Sequence, residues 1–239
     1  MRIAPLIKQD IKYQFRNGIH LIYAILTVFY IIILRLIPEV PRQYAGIFML
    51  FTDTGVIGFF FIGALVMMER NEQIFEALFI TPVKINEYIL SKVISLSALS
   101  FVCSVVIYTA SAHVTAGGLA AMISAVLLSS VLFTILGIGF SVIAPSLNHY
   151  FMYSMVLVLF LIPAIIEYIG LFSTPLIYLL PTAGPLYMIS YSYSGGNFGE
   201  LLVAGFSSVP WIIASFVFIR RMLGKLISMR IGEKSWIKL

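Results

Sequence analysis

Charged residues are scarce in this chain. Only 10% of its 239 residues are charged, whereas 61% are hydrophobic. A soluble domain carries about 25% charged residues, so the composition excludes an ordinary water-soluble globular protein. It is instead typical of a protein that lies mostly in lipid.

Residues that carry catalytic or metal chemistry are also few. Cys103 is the single cysteine, so no disulfide can form within the chain. The three histidines lie in separate segments outside any H-E-x-x-H pattern, and no serine lies in a G-x-S-x-G pattern. We therefore expect neither an enzyme nor a resident metal or cofactor.

The sequence also lacks a phosphate-binding loop of the G-x-x-x-x-G-K-[ST] type. Gly58 and Gly63 have the required separation, but Ala64 stands where the lysine is needed. The chain cannot bind ATP by that route. If it moves a cargo against a gradient, we expect the energy to come from another protein.

Long apolar segments are abundant. About 20 mostly apolar residues are needed for a helix to cross a membrane, and six segments qualify: 19–36, 47–68, 93–114, 119–144, 150–171 and 201–219. The segment 172–200 is apolar but broken by prolines and a Gly-Gly pair, which favours short re-entrant helices. The predicted fold is an all-α membrane protein with a six-span permease domain over 19–239.

The basic residues indicate the orientation of these spans. Of the 15 Lys and Arg residues, 13 fall in the termini and in connections on the same side as the termini. Only Arg35 and Arg42 fall on the other side. Since basic residues favour the cytosolic side, we predict a multi-pass protein of the plasma membrane with both termini in the cytosol.

The first 18 residues predict an amphipathic helix. Apolar side chains recur at helical spacing: Ile3, Ile7, Ile11 and Phe15. Basic side chains occupy another face: Lys8, Lys12 and Arg16. Such a helix suits the headgroup layer of a membrane. An ordinary solvated helical start is the less favoured interpretation, because so little soluble protein is present for it to pack on.

Asp53 is the one charged residue clearly inside a predicted span. It lies six residues after the predicted start at residue 47, about 9 Å below the outer end. One interpretation is a contact or gate on the translocation path, together with Arg35. The other, which we favour here, is a structural ion pair with Arg35 at the same level.

The segment 69–92 is the longest polar stretch between two spans. Apolar residues at helical spacing alternate with glutamates, and the helix is expected to end at Thr81-Pro82 because a proline disfavours helical backbone in the residue before it. This pattern predicts a short, rigid, amphipathic element on the cytosolic side. Periodicity alone favours a force-receiving element and a simple connector about equally.

Residues 69–82, ERNEQIFEALFITP, closely resemble the signature of ABC type-2 transporter permeases. In that family a Glu-rich segment ending in Thr/Ser-Pro lies between spans two and three. The Gly-rich segment 137–148 and the Pro-broken stretch 175–185 are similar to later parts of the same family. Gln73 stands where many members have glycine.

The resemblance implies that the chain pairs with a separate cytosolic ABC ATPase subunit, which binds the ATP and Mg. It also implies a second permease chain, with a homodimer favoured, and no nucleic-acid partner. By resemblance, the residues that couple to the ATPase are Glu69, Glu72, Glu76, Thr81 and Pro82.

The function implied is export of a hydrophobic or amphiphilic small molecule of the drug or peptide-antibiotic type. A lipid-linked glycan or lipid is the alternative cargo. A different class, a stand-alone channel or proton-coupled carrier, would depend strongly on Asp53 and need no ATPase.

Overall fold

The computed structural model describes residues 3–74, 83–171, 174, 177 and 179–236, and within these ranges it contains helices but no strand. The helices are α1 (Ile3–Arg16), α2 (Ile19–Leu36), α3 (Glu39–Thr52), a π-helical turn (Asp53–Ile57), α4 (Gly58–Asn71), α5 (Ile85–Ser111), α6 (Ala116–Ile143), α7 (Leu147–Tyr168), α8 (Ala183–Ser194) and α9 (Phe198–Trp236). Six helices are long and apolar enough to cross a membrane, with α3, the π-turn and α4 forming one of them. The predicted all-α, six-span fold is confirmed.

The second span begins earlier than hydropathy predicts. It starts at Glu39 rather than at residue 47. Pro41 lies in its first turn, where the missing N–H would have no helical partner anyway. The Arg42 guanidinium donates two hydrogen bonds to the Ile37 carbonyl, at 3.1 and 2.9 Å, and so fixes the turn before the helix. The charged residues of this first turn lower the local hydropathy, so a hydropathy-based prediction places the start of the span too late.

Helix α6 lies at the centre of the bundle and packs on α4, α5, α8 and α9. Its small residues Ala121, Ala125 and Ser129 are buried, as their spacing of four predicts for a face in close helix contact. Gly117 does not belong to that buried face, because nothing lies within 4 Å of where its Cβ would stand. No charged residue occurs in α6, which suits its central position.

Helix α7 crosses α4 closely because a glycine makes room for an aromatic ring. The Tyr150 ring lies directly over Gly63, with no space for a Cβ between them. The Tyr150 hydroxyl donates to the Phe59 carbonyl at 2.6 Å, and the two rings stack with centroids 5.5 Å apart. This contact fixes the position of α7 against the second span.

A short buried helix, α8, lies between the fifth and sixth spans, in the segment predicted to be re-entrant. Its 12 residues extend about 18 Å, too short to cross a membrane. The Tyr108 hydroxyl of α5 donates to the Ser192 carbonyl at 2.7 Å, and the Ser111 and Tyr193 hydroxyls are hydrogen-bonded at 2.6 Å. These bonds hold α8 at the end of α5 that is remote from the chain termini.

Candidate coupling site at the terminal end of the bundle

Helix α1 packs against the first turns of α5. Its buried side chains are Leu6, Asp10, Tyr13 and Gln14. Of the apolar residues predicted to face lipid, Phe15 is exposed while Ile3, Ile7 and Ile11 are partly buried. One side of this helix therefore packs on protein, while its placement in the headgroup layer stays a prediction. Its protein-facing side includes two polar residues because α5 supplies polar partners for both.

The centre of this contact is a buried ion cluster. The Lys92 ammonium of α5 donates to the Asp10 carboxylate of α1 at 2.6 Å and also to the Glu69 carboxylate of α4. Lys92 is 1% exposed, Asp10 6% and Glu69 4%. One ammonium therefore joins three helices away from water. We call Asp10, Glu69, Tyr88 and Lys92 the Lys92 cluster.

Further hydrogen bonds complete the cluster. The Tyr88 hydroxyl donates to the second Glu69 oxygen at 3.0 Å, and its ring lies 5.3 Å from the Lys92 ammonium. The Gln14 amide donates to the Ser95 hydroxyl at 2.9 Å. Glu69 thus has partners for both oxygens, as a buried carboxylate requires.

An exposed ion pair lies beside the buried cluster. The Arg16 guanidinium of α1 contacts the Glu72 carboxylate at 2.8 Å, with side chains 62% and 41% exposed. Tyr13 lies on α1 near the same carboxylates. Burial, and then the negative charges of Glu72 and Glu69, raise the pKa of Tyr13 to about 12. Its hydroxyl therefore stays neutral and contributes no further charge here.

The predicted coupling residues fall into three groups. Glu69 was expected on a polar surface, but it is buried within the Lys92 cluster, so that placement is wrong. Glu72 is partly exposed and paired with Arg16. Glu76, Thr81 and Pro82 lie outside the described residues. A partner that docks on 69–92 can reach Glu72 but not Glu69.

The chain turns sharply after α4 through a residue in left-handed conformation. Gln73 has φ 58°, the one positive φ of a non-glycine residue in the part of the chain that the structure describes. Glycine adopts this conformation without strain, whereas other residues resist it. The helix of this segment is predicted from sequence to end at Thr81-Pro82, whereas α4 already ends at Asn71.

Side-chain hydrogen bonds define both ends of the polar segment. The Arg70 side chain donates to the Ala144 carbonyl at 2.9 Å, which joins the end of α4 to the residue that follows α6. At the start of α5, the Glu87 carboxylate accepts the Lys84 backbone N–H at 2.9 Å in a capping box.

Sequence reasoning missed Asp10, Tyr88 and Lys92. Lys92 was interpreted as a flanking base because the third span was predicted to begin at residue 93, whereas α5 begins at Ile85. Lys92 is therefore two turns inside a helix. Asp10 is the only acidic residue in α1, and a single carboxylate in an otherwise basic helix was the one sequence feature that indicated a specific partner. Among the described residues, no three His, Cys, Asp or Glu side chains form a group that could hold a metal ion.

Asp53 lies far from this cluster, in the π-turn of the second span. It is fully buried, and neither carboxylate oxygen has a hydrogen-bond partner among the described residues. The predicted pair with Arg35 is wrong. Because the helix starts at Glu39, Asp53 lies about 21 Å along it, whereas Arg35 is exposed at the end of α2.

In the part of the chain that the structure describes, six apolar helices of membrane-crossing length define a multi-pass membrane protein. The chain belongs to the fluoroquinolones export permease protein family, whose model matches residues 1–228. Fluoroquinolones export permease proteins of two strains of Mycobacterium tuberculosis are each 28% identical to it over 211 residues. Those matches cover 88% of this chain and 84% of each relative.

Proposed function

We propose that this chain is the membrane subunit of an ATP-driven exporter of the ABC type-2 class. Its working form pairs two permease chains, favoured as identical, with cytosolic ATPase subunits that bind ATP and Mg. The termini and the segment 69–92 face the cytosol of a plasma-membrane protein. Membership in an export permease family supports the direction of transport, and the pattern of residues 69–82 supports the ABC type-2 class.

The observation that carries this proposal is the attachment of the segment 69–92 to three helices. The buried Lys92 cluster ties α4 and α5 to α1, and the Arg70 bond ties α4 to the end of α6. A buried ion pair holds a defined geometry because separating it leaves uncompensated charge. Force from an ATPase at this segment would therefore move whole helices rather than bend a loop.

The proposed cargo is an amphiphilic small molecule of the drug type. The two mycobacterial relatives are named for fluoroquinolones, which are planar aromatic acids with polar substituents. The aromatic, weakly charged spans of this chain suit such a molecule. A lipid-linked glycan is the alternative cargo.

The test is co-purification and transport. The tagged chain is co-expressed with a candidate ABC ATPase of the same organism, and ATP-driven uptake of a fluoroquinolone is measured in inside-out vesicles. We expect the double variant Glu72→Ala/Pro82→Ala to lose ATPase association, whereas Arg42→Ala at the opposite end of the bundle keeps it. Full association of the double variant would overturn the docking assignment.

The buried carboxyl of Asp53 favours a second candidate, a proton-coupled carrier. That function requires uptake driven by a proton gradient in vesicles that contain this chain without an ATPase. Transport in these vesicles distinguishes the two functions. An ATP-driven exporter transports only when ATP and the ATPase subunit are present, and it does not depend on a proton gradient.

A further inference from the structure

The π-turn at Asp53–Ile57 is a local departure from helical geometry deep in the bundle. The Gly58 N–H donates to the Asp53 carbonyl five residues back, so one extra residue is accommodated in this turn. π-turns are rare and occur frequently at functional sites. Here the turn places a carboxyl group near the middle of the 33-residue second span.

One aromatic side chain from each of two neighbouring helices approaches this turn. The Phe133 ring of α6 lies 2.9 Å from where a Gly55 Cβ would stand, and the Tyr23 hydroxyl of α2 lies 3.8 Å from the corresponding point at Gly58. The Asp53 carboxyl lies in this turn, and both of its oxygens lack a hydrogen-bond partner among the described residues.

No cation balances the carboxyl in this conformation. Of the ion pairs in the described part of the chain, none includes Asp53. Helix α6 contributes no ionisable side chain at all. A buried carboxylate without donors has lost its hydration and has no hydrogen bond or ion pair to compensate for it. A cation that entered beside it would compensate for the lost hydration. It would also lie at the turn that Tyr23 and Phe133 approach, and aromatic rings attract organic cations.

We propose that Asp53, with Tyr23 and Phe133, binds the protonated amine of an amphiphilic cargo during transport. The proposal rests on the export function proposed above and narrows its substrate class to organic ammonium compounds. In the conformation described here the carboxyl is closed off, so the amine reaches it when α2 moves away from the second span. Helix α2 is mostly exposed and presents a narrow buried face that includes Tyr23 and Thr27, which suits a helix that separates from the bundle.

The test compares two ligands that differ in one charge. Ciprofloxacin carries a basic piperazine nitrogen, and its N-acetyl derivative keeps the aromatic scaffold without that charge. Binding of each to the purified full-length chain in lipid nanodiscs is measured by fluorescence anisotropy at pH 7. We expect the wild-type protein to bind ciprofloxacin about tenfold or more tightly than the acetyl derivative, as for a hydrogen bond to a charged group.

Variants assign this preference to Asp53. In Asp53→Asn, which keeps the shape of the side chain, we expect the preference to fall to near one, while Asp53→Glu retains part of it. Glu39→Gln, at the exposed start of the same span, is the matched control and keeps the full preference. Equal binding of the two ligands by the wild-type protein, or an unchanged preference in Asp53→Asn, would overturn the proposal.

This measurement is independent of the ATPase. Ligand preference without any ATPase association would leave the binding site in place and overturn the ATP-driven function. ATPase association without ligand preference would overturn the Asp53 binding site and leave the ATP-driven function in place. The wild-type comparison needs no variant, so equal binding of the two ligands would overturn the proposal even if Asp53→Asn failed to fold.

Discussion

At the scale of single residues, Lys92 is the central contact where α1, α4 and α5 pack together, at the end of the bundle that carries the chain termini. Its ammonium is the shared partner of two buried carboxylates from helices that are remote in sequence, with Asp10 lying 82 positions earlier. We expect Lys92→Met to lower the free energy of unfolding by about 3–5 kcal/mol, because two carboxylates would remain buried without their cation. Denaturation in detergent micelles, followed by circular dichroism, measures the loss.

The exposed pair next to it is the matched control. Arg16→Ala should change the free energy of unfolding by less than about 1 kcal/mol, since exposed ion pairs contribute little. The triple variant Asp10→Asn/Glu69→Gln/Lys92→Met removes all the buried charges together and should recover part of the loss. If Lys92→Met costs no more than Arg16→Ala, the buried cluster has no structural role.

Gln73 gives a prediction of opposite sign. Its left-handed backbone favours glycine, so Gln73→Gly should raise the free energy of unfolding by about 0.5–1 kcal/mol. Gln73→Val should lower it by about as much or more, because a β-branched side chain resists positive φ. The same denaturation experiment measures both. Equal stability of the three proteins would mean that the turn relaxes in solution.

At the scale of helices, the crossing of α4 and α7 depends on one missing side chain. Gly63→Ala places a methyl group inside the Tyr150 ring position, so we expect a loss of about 2–3 kcal/mol in the free energy of unfolding. Gly117→Ala in α6 meets no neighbour and should be neutral or slightly stabilising, since alanine is the better helix former. Thermal unfolding in detergent compares the two.

A second-site change tests the cause of that loss. Tyr150→Leu removes the aromatic ring that lies over Gly63. Gly63→Ala should therefore cost less stability in the Tyr150→Leu background than in the wild-type protein. Strictly additive losses would show that the two positions do not touch, because only residues in contact are coupled in this way.

At the scale of the whole molecule, six spans place both termini at one end of the bundle. The distribution of basic residues predicts that this end is cytosolic. In a Cys103→Ser background, Lys8→Cys should react with a membrane-impermeant maleimide only after the cells are opened. Val114→Cys, in the exposed connection between α5 and α6, should react in intact cells. The reverse labelling pattern would contradict the predicted orientation.

Much of this architecture was accessible from sequence because hydropathy is a local property. Twenty apolar residues in a row form a membrane-crossing helix whatever their neighbours are, so the number of spans and the short helix before the last one were predicted correctly. Span limits were less accurate. The charged first turns of the second and third spans, at Glu39 and at Lys84–Glu87, lowered hydropathy without ending the helix.

The residues of the candidate sites are close in space but distant in sequence, so only the tertiary structure could identify them together. The sequence by itself determined that the chain is a helical membrane protein with a polar segment between its second and third spans. Only the fold decided that Glu69 turns inward to Lys92 and that Asp53 lies deep and without a cation. Pairing of charges is set by how helices pack, and packing joins residues whose positions in the sequence carry no mutual signal.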